Sequence, residues 1–470
     1  MNLRCVMLLL TLSVALSAFA GTVGWRMDGS GRYPAATPPA TWSVTDHVLW
    51  ATPLPAWSNS SPVVVGERIF VCAEPTTLLC LDRTGKILWQ QHCDYADMPA
   101  DGNADKNRAA LDAINLQIAD ANTDLTAKRT ALVPLEAAAK ADPTNADAQT
   151  KMNAAKKEVA GADNKLKNLQ RQREPLLPPT EWKLPDTHPT NGYTSDTPVC
   201  DGAFVYASFG NGMVGCFTVN GVRQWTRFLE KPSHGWGHSG SAVLAGNTLI
   251  IQYNNMFGLD AKTGTPRWHS SHRHNWGTSA ATRLGTLDVI ITDGGDIINV
   301  VDGTTLASTG MSLEYNSPLF LDGILYCVSG NKARAFQLAV KDDGKVGVTK
   351  LWETAVSNER YYASPLLVDG LLYVVQQGSV LSAIDIKDGT LAYEQKLNLG
   401  GCVYPTPILA GKSILISSDS GKSVSLTPGR TYLELTRNTL DAYRSTPVCD
   451  GAHLYIHTCK RESKLYCIGG

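Results

Sequence analysis

The sequence predicts an all-β fold, an eight-bladed β-propeller of four-stranded blades, with an inserted antiparallel α-helical coiled-coil hairpin. Three observations lead to this prediction: a Ser/Thr-Pro step that opens six of the eight repeats, a tight turn of the Asp-x-x-Thr-Gly type, with Asp-x-Thr-Gly and Asp-x-x-Asp-Gly variants, inside several repeats, and one long stretch of helical apolar spacing. Two openings lack the proline. The eight openings lie near Pro62, Pro198, Ser241, Ala281, Pro318, Pro365, Pro407 and Pro447.

The spacing of the later openings gives the size of one repeat. From Pro318, successive opening prolines are 47, 42 and 40 residues apart, the period of a four-stranded blade. The last repeat has room for only three strands before Gly470. We therefore expect a strand near 46–50 to complete the last blade, because this closes the ring and removes an exposed sheet edge.

Within the repeats, a tight turn joins two strands of alternating apolar character. Segment 78–89 (Leu-Leu-Cys-Leu-Asp-Arg-Thr-Gly-Lys-Ile-Leu-Trp) parallels segments 258–268 and 382–393, and each ends in an aromatic residue. Asp can bond the turn backbone and Gly takes a positive φ, so the next strand begins at once.

These turns, together with the opening segment 25–32 (Trp-Arg-Met-Asp-Gly-Ser-Gly-Arg), resemble the PQQ-like eight-bladed propellers, which include quinoprotein dehydrogenases and the outer-membrane protein assembly factor B. The resemblance covers roughly residues 25–98 and 185–470. It implies the fold, but the turn motif builds the blade and does no chemistry. We therefore assign residues 21–470 to the propeller.

An Ala- and Lys-rich insertion, residues 100–178, interrupts the repeats between the first and second blades. Apolar residues recur at steps of 3 and 4 on both sides of Pro143, which predicts an antiparallel two-helix coiled coil. Each arm of ~28 residues would be ~40 Å long. Two roles stay open: a solvated spacer, or a lid or partner-docking arm.

Composition and the N-terminus indicate the compartment. With 42 Lys plus Arg against 43 Asp plus Glu, the chain offers no broad attraction for nucleic acid or anionic lipid. Residues 1–20 have the positive charge, short apolar run and Ala-Phe-Ala end of a signal peptide, with cleavage expected after Ala20. No later segment has membrane-spanning length, so we expect a periplasmic or secreted protein of unspecified oligomeric state.

An oxidising compartment makes disulfides plausible. Cys72 with Cys80, and Cys459 with Cys467, share one spacing that suits neighbouring strands of a hairpin. Ordinary buried thiols are an equal alternative. No Cys-x-x-Cys occurs, which argues against thioredoxin-like chemistry and simple zinc ribbons.

Aromatic and histidine residues cluster just before the first strand of each repeat, where they would surround one mouth of the central channel. The candidate ligand-binding residues are Trp57, Tyr193, His234, Trp236, His238, His274, Trp276 and Tyr361, with Tyr315, Tyr404 and Tyr443 at related positions. Such a mouth could stack a flat or sugar-like ligand. The alternative is that these rings pack between blades. A metal site is not expected, since no carboxylate accompanies the histidines at ligand spacing.

The sequence thus predicts a non-catalytic propeller that binds a protein or an envelope ligand. The rival is a quinoprotein-type oxidoreductase, or another sugar- or quinone-binding enzyme, using the aromatic mouth. The resemblance implies that PQQ-dependent members carry adjacent cysteines and a calcium-binding set, and neither is evident here, so no PQQ is expected. Hydrolase motifs such as Gly-x-Ser-x-Gly are also missing, and no catalytic residue is assigned.

Overall fold

The computed structural model describes residues 22–97, 104–176, 183–272, 274–460 and 462–470. The predicted signal peptide and its cleavage site after Ala20 lie outside this part of the chain. The described residues form two compact units, one from residues 22–93 and those from 185 onward, and the other from those between 94 and 184.

The first unit is the predicted all-β propeller, with eight sheets of successive antiparallel strands. The N-terminal segment supplies β1 (Arg32–Tyr33) and β2 (Val48–Pro53). Blades 1 to 4 follow: β3 (Val63–Val65), β4 (Arg68–Ala73), β5 (Thr77–Leu81), β6 (Ile87–His92); β7 (Val199–Cys200), β8 (Phe204–Ser208), β9 (Met213–Thr218), β10 (Arg223–Phe228); β11 (Val243–Ala245), β12 (Thr248–Gln252), β13 (Met256–Asp260), β14 (Pro266–Ser270); β15 (Ala280–Leu284), β16 (Leu287–Ile291), β17 (Asp296–Asn299), β18 (Thr305–Ser308).

Blades 5 to 8 continue the pattern: β19 (Leu319–Leu321), β20 (Ile324–Ser329), β21 (Lys332–Val340), β22 (Val346–Ala355); β23 (Leu366–Val368), β24 (Leu371–Val375), β25 (Val380–Asp385), β26 (Leu391–Lys396); β27 (Ile408–Ala410), β28 (Ser413–Ser417), β29 (Lys422–Leu426), β30 (Glu434–Thr439); β31 (Val448–Asp450), β32 (His453–His457), β33 (Lys464–Ile468). The first strands of neighbouring blades lie against one another, so they are the inner strands. The core lies between adjacent sheets, in clusters of Leu, Ile, Val and Tyr.

The N-terminal strand β2 completes blade 8. It pairs antiparallel with β33, with Trp50 opposite Cys467, and gives that blade its fourth strand. The same strand bonds blade 1, because Trp50 Nε1 donates to the carbonyl of Arg83 at 2.9 Å and Thr52 Oγ1 donates to the carbonyl of Gly85 at 2.6 Å. One strand therefore belongs to the last blade and fastens the first.

A tryptophan on the outer strand of a blade repeats this contact at four more blade interfaces. Each indole Nε1 donates to a carbonyl in the Asp-x-x-Thr-Gly turn, or its equivalent, of the next blade. The pairs are Trp89 with Val219, Trp225 with Ala261, Trp268 with Val300 and Trp352 with Ile386. The ring also lies on the turn glycine: a Cβ placed on Gly264 would lie 2.6 Å from Cδ2 of Trp225.

We predict that Gly264→Ala lowers the free energy of unfolding more than Gly246→Ala, measured by urea denaturation. Both residues belong to blade 3 and have positive φ, so both variants carry the left-handed cost of ~1 kcal/mol. Only Gly264 touches an indole, since nothing lies within 4 Å of a Cβ at Gly246. The extra loss should be ~1–3 kcal/mol, and equal losses would show that the indole contact does not hold the blades.

The segment before β1 crosses the end of the central channel. Val23 exchanges two backbone hydrogen bonds of 2.8 Å with Cys200 of blade 2, and Arg26 Nη2 donates to the carbonyl of Pro365 in blade 6 at 2.9 Å. Blades 2 and 6 face each other across a ring of eight. β1 then pairs in parallel with β27 of blade 7. Trp25, between the two attachments, therefore lies across the channel.

A closed circle of hydrogen bonds joins all eight blades around the axis. The Ser or Thr that opens each blade donates its backbone N–H to the hydroxyl oxygen of the opening residue of the next blade, at 2.8 to 3.2 Å. We call these eight residues the lower ring. They are Ser61, Thr197, Ser241, Thr278, Ser317, Ser364, Thr406 and Thr446, and the bond from Thr446 to Ser61 closes the circle.

We predict that Thr406→Val destabilises the propeller by ~1–3 kcal/mol, because the variant keeps the side-chain shape and leaves the N–H of Ser364 without its acceptor in a buried site. Thr349→Val, at an exposed strand position, is the matched control and should change the urea midpoint little. Equal midpoints for the two variants would mean that the ring bonds contribute no net stability.

The second unit contains the predicted helical hairpin. α1 (Ala104–Ala141) and α2 (Ala146–Arg173) run antiparallel, as the ion pair between Arg129 and Asp163 at 3.3 Å requires. Short 3-10 helices occupy Tyr95–Asp97 and Glu174–Leu176. α1 has 38 residues, longer than the ~28 expected, because it extends beyond the apolar repeat at both ends. Within the described residues, neither helix has the apolar length needed to cross a membrane.

Among the described residues, neither of the disulfides considered from the sequence is present: Cys72, Cys80, Cys459 and Cys467 are thiols. In blade 1 the register pairs Cys80 with Phe70 and Cys72 with Leu78, so the two sulfurs stand at diagonal positions. In blade 8, Cys467 faces Tyr455, whereas Cys459 lies in the turn beyond the strand. Burial raises the pKa of Cys467 to about 11 and thus keeps it a neutral thiol.

Candidate functional site

A second ring of side chains lies above the lower ring because extended chain alternates its faces. The residue two positions before each lower-ring hydroxyl lines the same cavity, whereas the residue between them lies outside the lining in every blade except blade 4, where it is Gly277. We call these eight residues the upper ring. They are Asn59, Ser195, Ser239, Trp276, Tyr315, Tyr362, Tyr404 and Arg444.

Half of the upper ring is aromatic and contiguous. Blades 4 to 7 contribute Trp276, Tyr315, Tyr362 and Tyr404, with successive centroid distances of 5.7, 5.1 and 4.6 Å. The first and last of these contacts are stacked, with interplanar angles of 21° and 24°. Each ring thus holds the next in place and presents a continuous aromatic wall to the cavity.

The other half of the upper ring is polar and is reinforced by the segment that precedes blade 2. Asn59 Nδ2 donates to the carbonyl of Thr190 at 2.8 Å and to Ser195 Oγ at 2.9 Å. Asn191 also lines the cavity, and its Nδ2 donates to the carbonyl of His238 at 2.8 Å. Amide and hydroxyl groups therefore face the aromatic wall across the cavity.

Two arginines supply the positive charge of the lining. The Arg360 guanidinium lies 5.7 Å from the centroid of Tyr315, and Nη1 donates to the hydroxyl of Tyr362 at 3.3 Å. The Arg444 guanidinium lies 5.5 Å from the centroid of Tyr404, and its Nε is 3.7 Å from Asp419. Cation–π contact fixes both guanidinium groups beside the aromatic wall.

Trp25 closes the cavity at the side of the lower ring, where the N-terminal segment crosses the channel. The Arg26 guanidinium lies 5.3 Å from the Trp25 ring and is completely buried. The cavity has a volume of about 320 Å³ and is open to solvent on its other side, which puts it at the small end of ligand pockets. The cavity thus accepts a small group or the end of a chain from one side.

Buried carboxyl groups hold the walls from behind. Asp293 Oδ2 accepts the backbone N–H groups of Asn275 and Gly277 at 2.9 and 2.8 Å, on both sides of Trp276. Burial raises the pKa of Asp293 to about 7. Glu74 accepts the N–H groups of Tyr193 and Thr194 in the same way, and burial raises its pKa to about 7 as well.

We predict that ionisation of Asp293 lowers the stability of the propeller between pH 5 and pH 8, so that Asp293→Asn shifts the difference in melting temperature between the two pH values in favour of pH 8. The folded-state pKa lies above the ordinary value of 3.8, so stability is lost as the pH rises from about 4 to about 7 and the buried carboxyl must ionise. An asparagine can accept the same N–H groups without charge. Melting temperatures at the two pH values test this, with the exposed Asp342→Asn as control; an unchanged difference in Asp293→Asn would contradict it.

The structure distributes the predicted site residues between the cavity and its surroundings. Trp236 and Trp276 line the cavity, as do Tyr315 and Tyr404. The remaining candidates lie outside this lining. They are Trp57, Tyr193, His234, His238, His274, Tyr361 and Tyr443.

The histidines have structural partners. His238 is buried, with Nδ1 3.1 Å from Asp196. Both ring nitrogens of His274 lie near backbone carbonyls, at 2.9 and 2.6 Å. His234 accepts the N–H of Trp236 through Nδ1 at 3.1 Å and meets the Trp276 ring edge-on. Within the described residues, no group of three His, Cys, Asp or Glu side chains is arranged to hold a metal ion.

Two of the three candidate tyrosines outside the lining, Tyr361 and Tyr443, follow the alternation of extended chain. Tyr361 and Tyr443, three positions before the lower-ring residue, are almost completely buried between blades. Tyr193 is half-buried and donates its hydroxyl to the carbonyl of Pro185 at 2.7 Å, and the backbone carbonyl of Trp57 accepts the N–H of Glu74.

Sequence reasoning missed Trp25, Asn59, Arg360, Tyr362 and Arg444 as cavity residues. A usable signal was present for three of them. Counting back two residues from each opening Ser or Thr selects Asn59, Tyr362 and Arg444, but looking for aromatic residues near each opening selects Tyr361 instead of its neighbour. Trp25 depends on the path of the N-terminal segment across the channel, which no local pattern records.

The fold and the half-aromatic cavity define a PQQ-like eight-bladed propeller with one closed end. The chain matches the family model described as outer membrane protein assembly factor BamB over residues 13–109, 193–346 and 258–469, and it belongs to this family. No protein of curated function matches the sequence.

Two solved structures illustrate the likeness. The quinohemoprotein alcohol dehydrogenase ADHIIG from Pseudomonas putida HK5 is 10% identical, with a TM-score of 0.51, and the match covers 93% of this chain and 79% of that one. BamB from Moraxella catarrhalis is 14% identical, with a TM-score of 0.46, and the match covers 57% of this chain and 80% of that one. At such identities the likeness concerns the fold alone.

Proposed function

We propose that this protein is a non-enzymatic binding propeller of the cell envelope, and that the cavity between the two rings is its ligand site. The observation that carries the proposal is the division of the upper ring into an aromatic half and a polar half above a floor of hydroxyl groups. A concave site with aromatic faces and a few convergent polar groups is the usual form of a binding pocket.

The ionisable groups around the cavity favour binding over catalysis. The ionisable side chains of the lining are arginines and tyrosines, and burial raises the pKa of Tyr404 to about 12. A general acid or base works best with a pKa near the operating pH and within reach of the substrate. Asp293 and Glu74 have such pKa values, but their oxygens accept backbone N–H groups behind the wall.

The lining also fits a quinone cofactor with its metal ion poorly. No carboxylate belongs to the described lining, and no two cysteines are adjacent in the sequence. Hard cations such as Ca²⁺ take oxygen ligands that usually include carboxylates. We therefore expect no PQQ in this protein.

An envelope location is part of the proposal and has two supports. The N-terminal sequence has the order of a signal peptide. The description of the family names an outer membrane protein assembly factor. The ligand would then be a protein or another component of the envelope.

Photo-crosslinking in intact cells tests the site. A benzoylphenylalanine at position 236, where Trp236 is 54% exposed at the cavity, should give a discrete covalent adduct. The same residue at position 433, where Leu433 is 57% exposed next to β30, is the matched control and should give none. An adduct from position 433 alone, or no adduct from either, would show that the cavity is not the binding site.

A second measurement tests the absence of activity. Purified protein incubated with PQQ and Ca²⁺ should show no cofactor absorbance after desalting and no dye reduction with an alcohol or glucose. Dye reduction that depends on PQQ would contradict the proposed non-enzymatic function and would identify the protein as an oxidoreductase.

A further inference from the structure

We infer that the cavity recognises a carboxylate-bearing sugar, such as a uronic acid residue at the end of an acidic glycan. This inference rests on the proposed function, because it names the chemistry of the ligand for the same site. Three features of the cavity lead to it: an unpaired positive charge, polar groups suited to hydroxyls, and an aromatic wall.

The charge of the lining calls for an anion. Arg360 forms no direct ion pair with any described residue, although the Tyr362 hydroxyl and, to a lesser degree, nearby Glu314 raise the pKa of its guanidinium. This guanidinium is exposed at the cavity beside Tyr362. Arg444 lies 3.7 Å from Asp419 and is partly neutralised, and it donates from Nη1 to the carbonyl of Thr190 at 3.3 Å. Arginine binds carboxylates through its planar set of N–H donors. Arg360 is therefore the group that would bind the carboxylate.

The hydroxyl groups of the lower ring call for acceptor oxygens on the ligand. Asn59 Nδ2 donates to neighbouring residues, and its Oδ1 is shielded from the cavity, so Asn59 shapes the polar wall without offering a free acceptor. Each lower-ring oxygen already accepts a backbone N–H, which leaves its own O–H as a donor.

The backbone of the mouth explains why a sugar fits better than a peptide. The N–H groups of all eight lower-ring residues are used within the ring, as the bonds from Ser317 and Thr446 illustrate. An extended peptide gains much of its affinity from backbone pairing with a free strand edge. The cavity offers hydroxyl, amide and aromatic side chains instead.

The aromatic wall completes the site. A pyranose ring has an apolar face of C–H groups, and the contiguous rings from Trp276 to Tyr404 provide an apolar surface for it, opposite Asn59. The middle pair of rings, Tyr315 and Tyr362, is tilted by 59°, so the surface is faceted. The volume of about 320 Å³ suits a chain end more than a long polymer segment.

Binding measurements with defined sugars test the inference. Tryptophan fluorescence reports on the cavity, because Trp25, Trp236 and Trp276 line it. An oligomer of glucuronic acid should bind at least about tenfold more tightly than a neutral glucose oligomer of the same length, which matches one charge-assisted hydrogen bond. The difference should shrink as salt is added.

Variants then separate charge from fold. Arg360→Gln should reduce uronate binding to the level of the neutral oligomer with an unchanged melting temperature, because the side chain is exposed. Arg283→Gln, at an exposed position of blade 4, removes the same charge and should leave uronate binding unchanged. Equal effects of the two variants would overturn the role of Arg360.

Other outcomes would overturn the inference about the sugar and leave the proposed binding function intact. Equal binding of the acidic and neutral oligomers would remove the carboxylate from the recognition. Binding of tetraglutamate but not of glucuronate would identify an acidic peptide. An adduct at position 236 with no binding of any sugar would leave the cavity as a ligand site for another class of molecule.

Discussion

The circle of hydrogen bonds around the axis is the constraint on which the rest of the propeller depends. Each blade must begin with a hydroxyl residue, because its oxygen accepts the backbone N–H of the preceding blade. Six of the eight are followed by proline, which has no N–H to compete for a partner. The circle fixes where every inner strand starts, and therefore which side chains face the cavity above and below it.

The alternation of extended chain carries this constraint into the binding site. Once the hydroxyl of Ser364 faces the axis, Ala363 must face the neighbouring blade and Tyr362 must face the cavity again. The composition of the upper ring is thus free to vary while the lower ring stays fixed. Aromatic residues in four successive blades and polar residues in the other four make an asymmetric site from a symmetric scaffold.

The repeat openings and the Asp-x-x-Thr-Gly turns were enough to predict the blades, because each is a local pattern with a local physical cause. The helical hairpin followed from apolar spacing for the same reason. The site was only partly predictable. Trp276 could be predicted as a cavity residue because it is aromatic and lies near a repeat opening. Arg444 and Asn59 could be predicted only by counting two residues back from the opening Ser or Thr. Without that count, the sequence favours Tyr361 over its neighbour Tyr362, which lines the cavity. The disulfides were considered from spacing, which does not report that Cys72 faces Leu78.

The N-terminal segment couples the closure of the ring to the formation of the cavity. Its first part bridges opposite blades and lays Trp25 over the end of the channel, and its later part, β2, supplies the outer strand of blade 8. Arg26 is fully buried behind Trp25 and donates to the carbonyls of Ser30 and Pro365. The buried charge of Arg26 keeps these hydrogen bonds only while the segment follows this path. Loss of the segment would open the propeller at one blade and the cavity at one end. The closed end of the cavity and the closure of the propeller ring therefore both depend on the N-terminal segment.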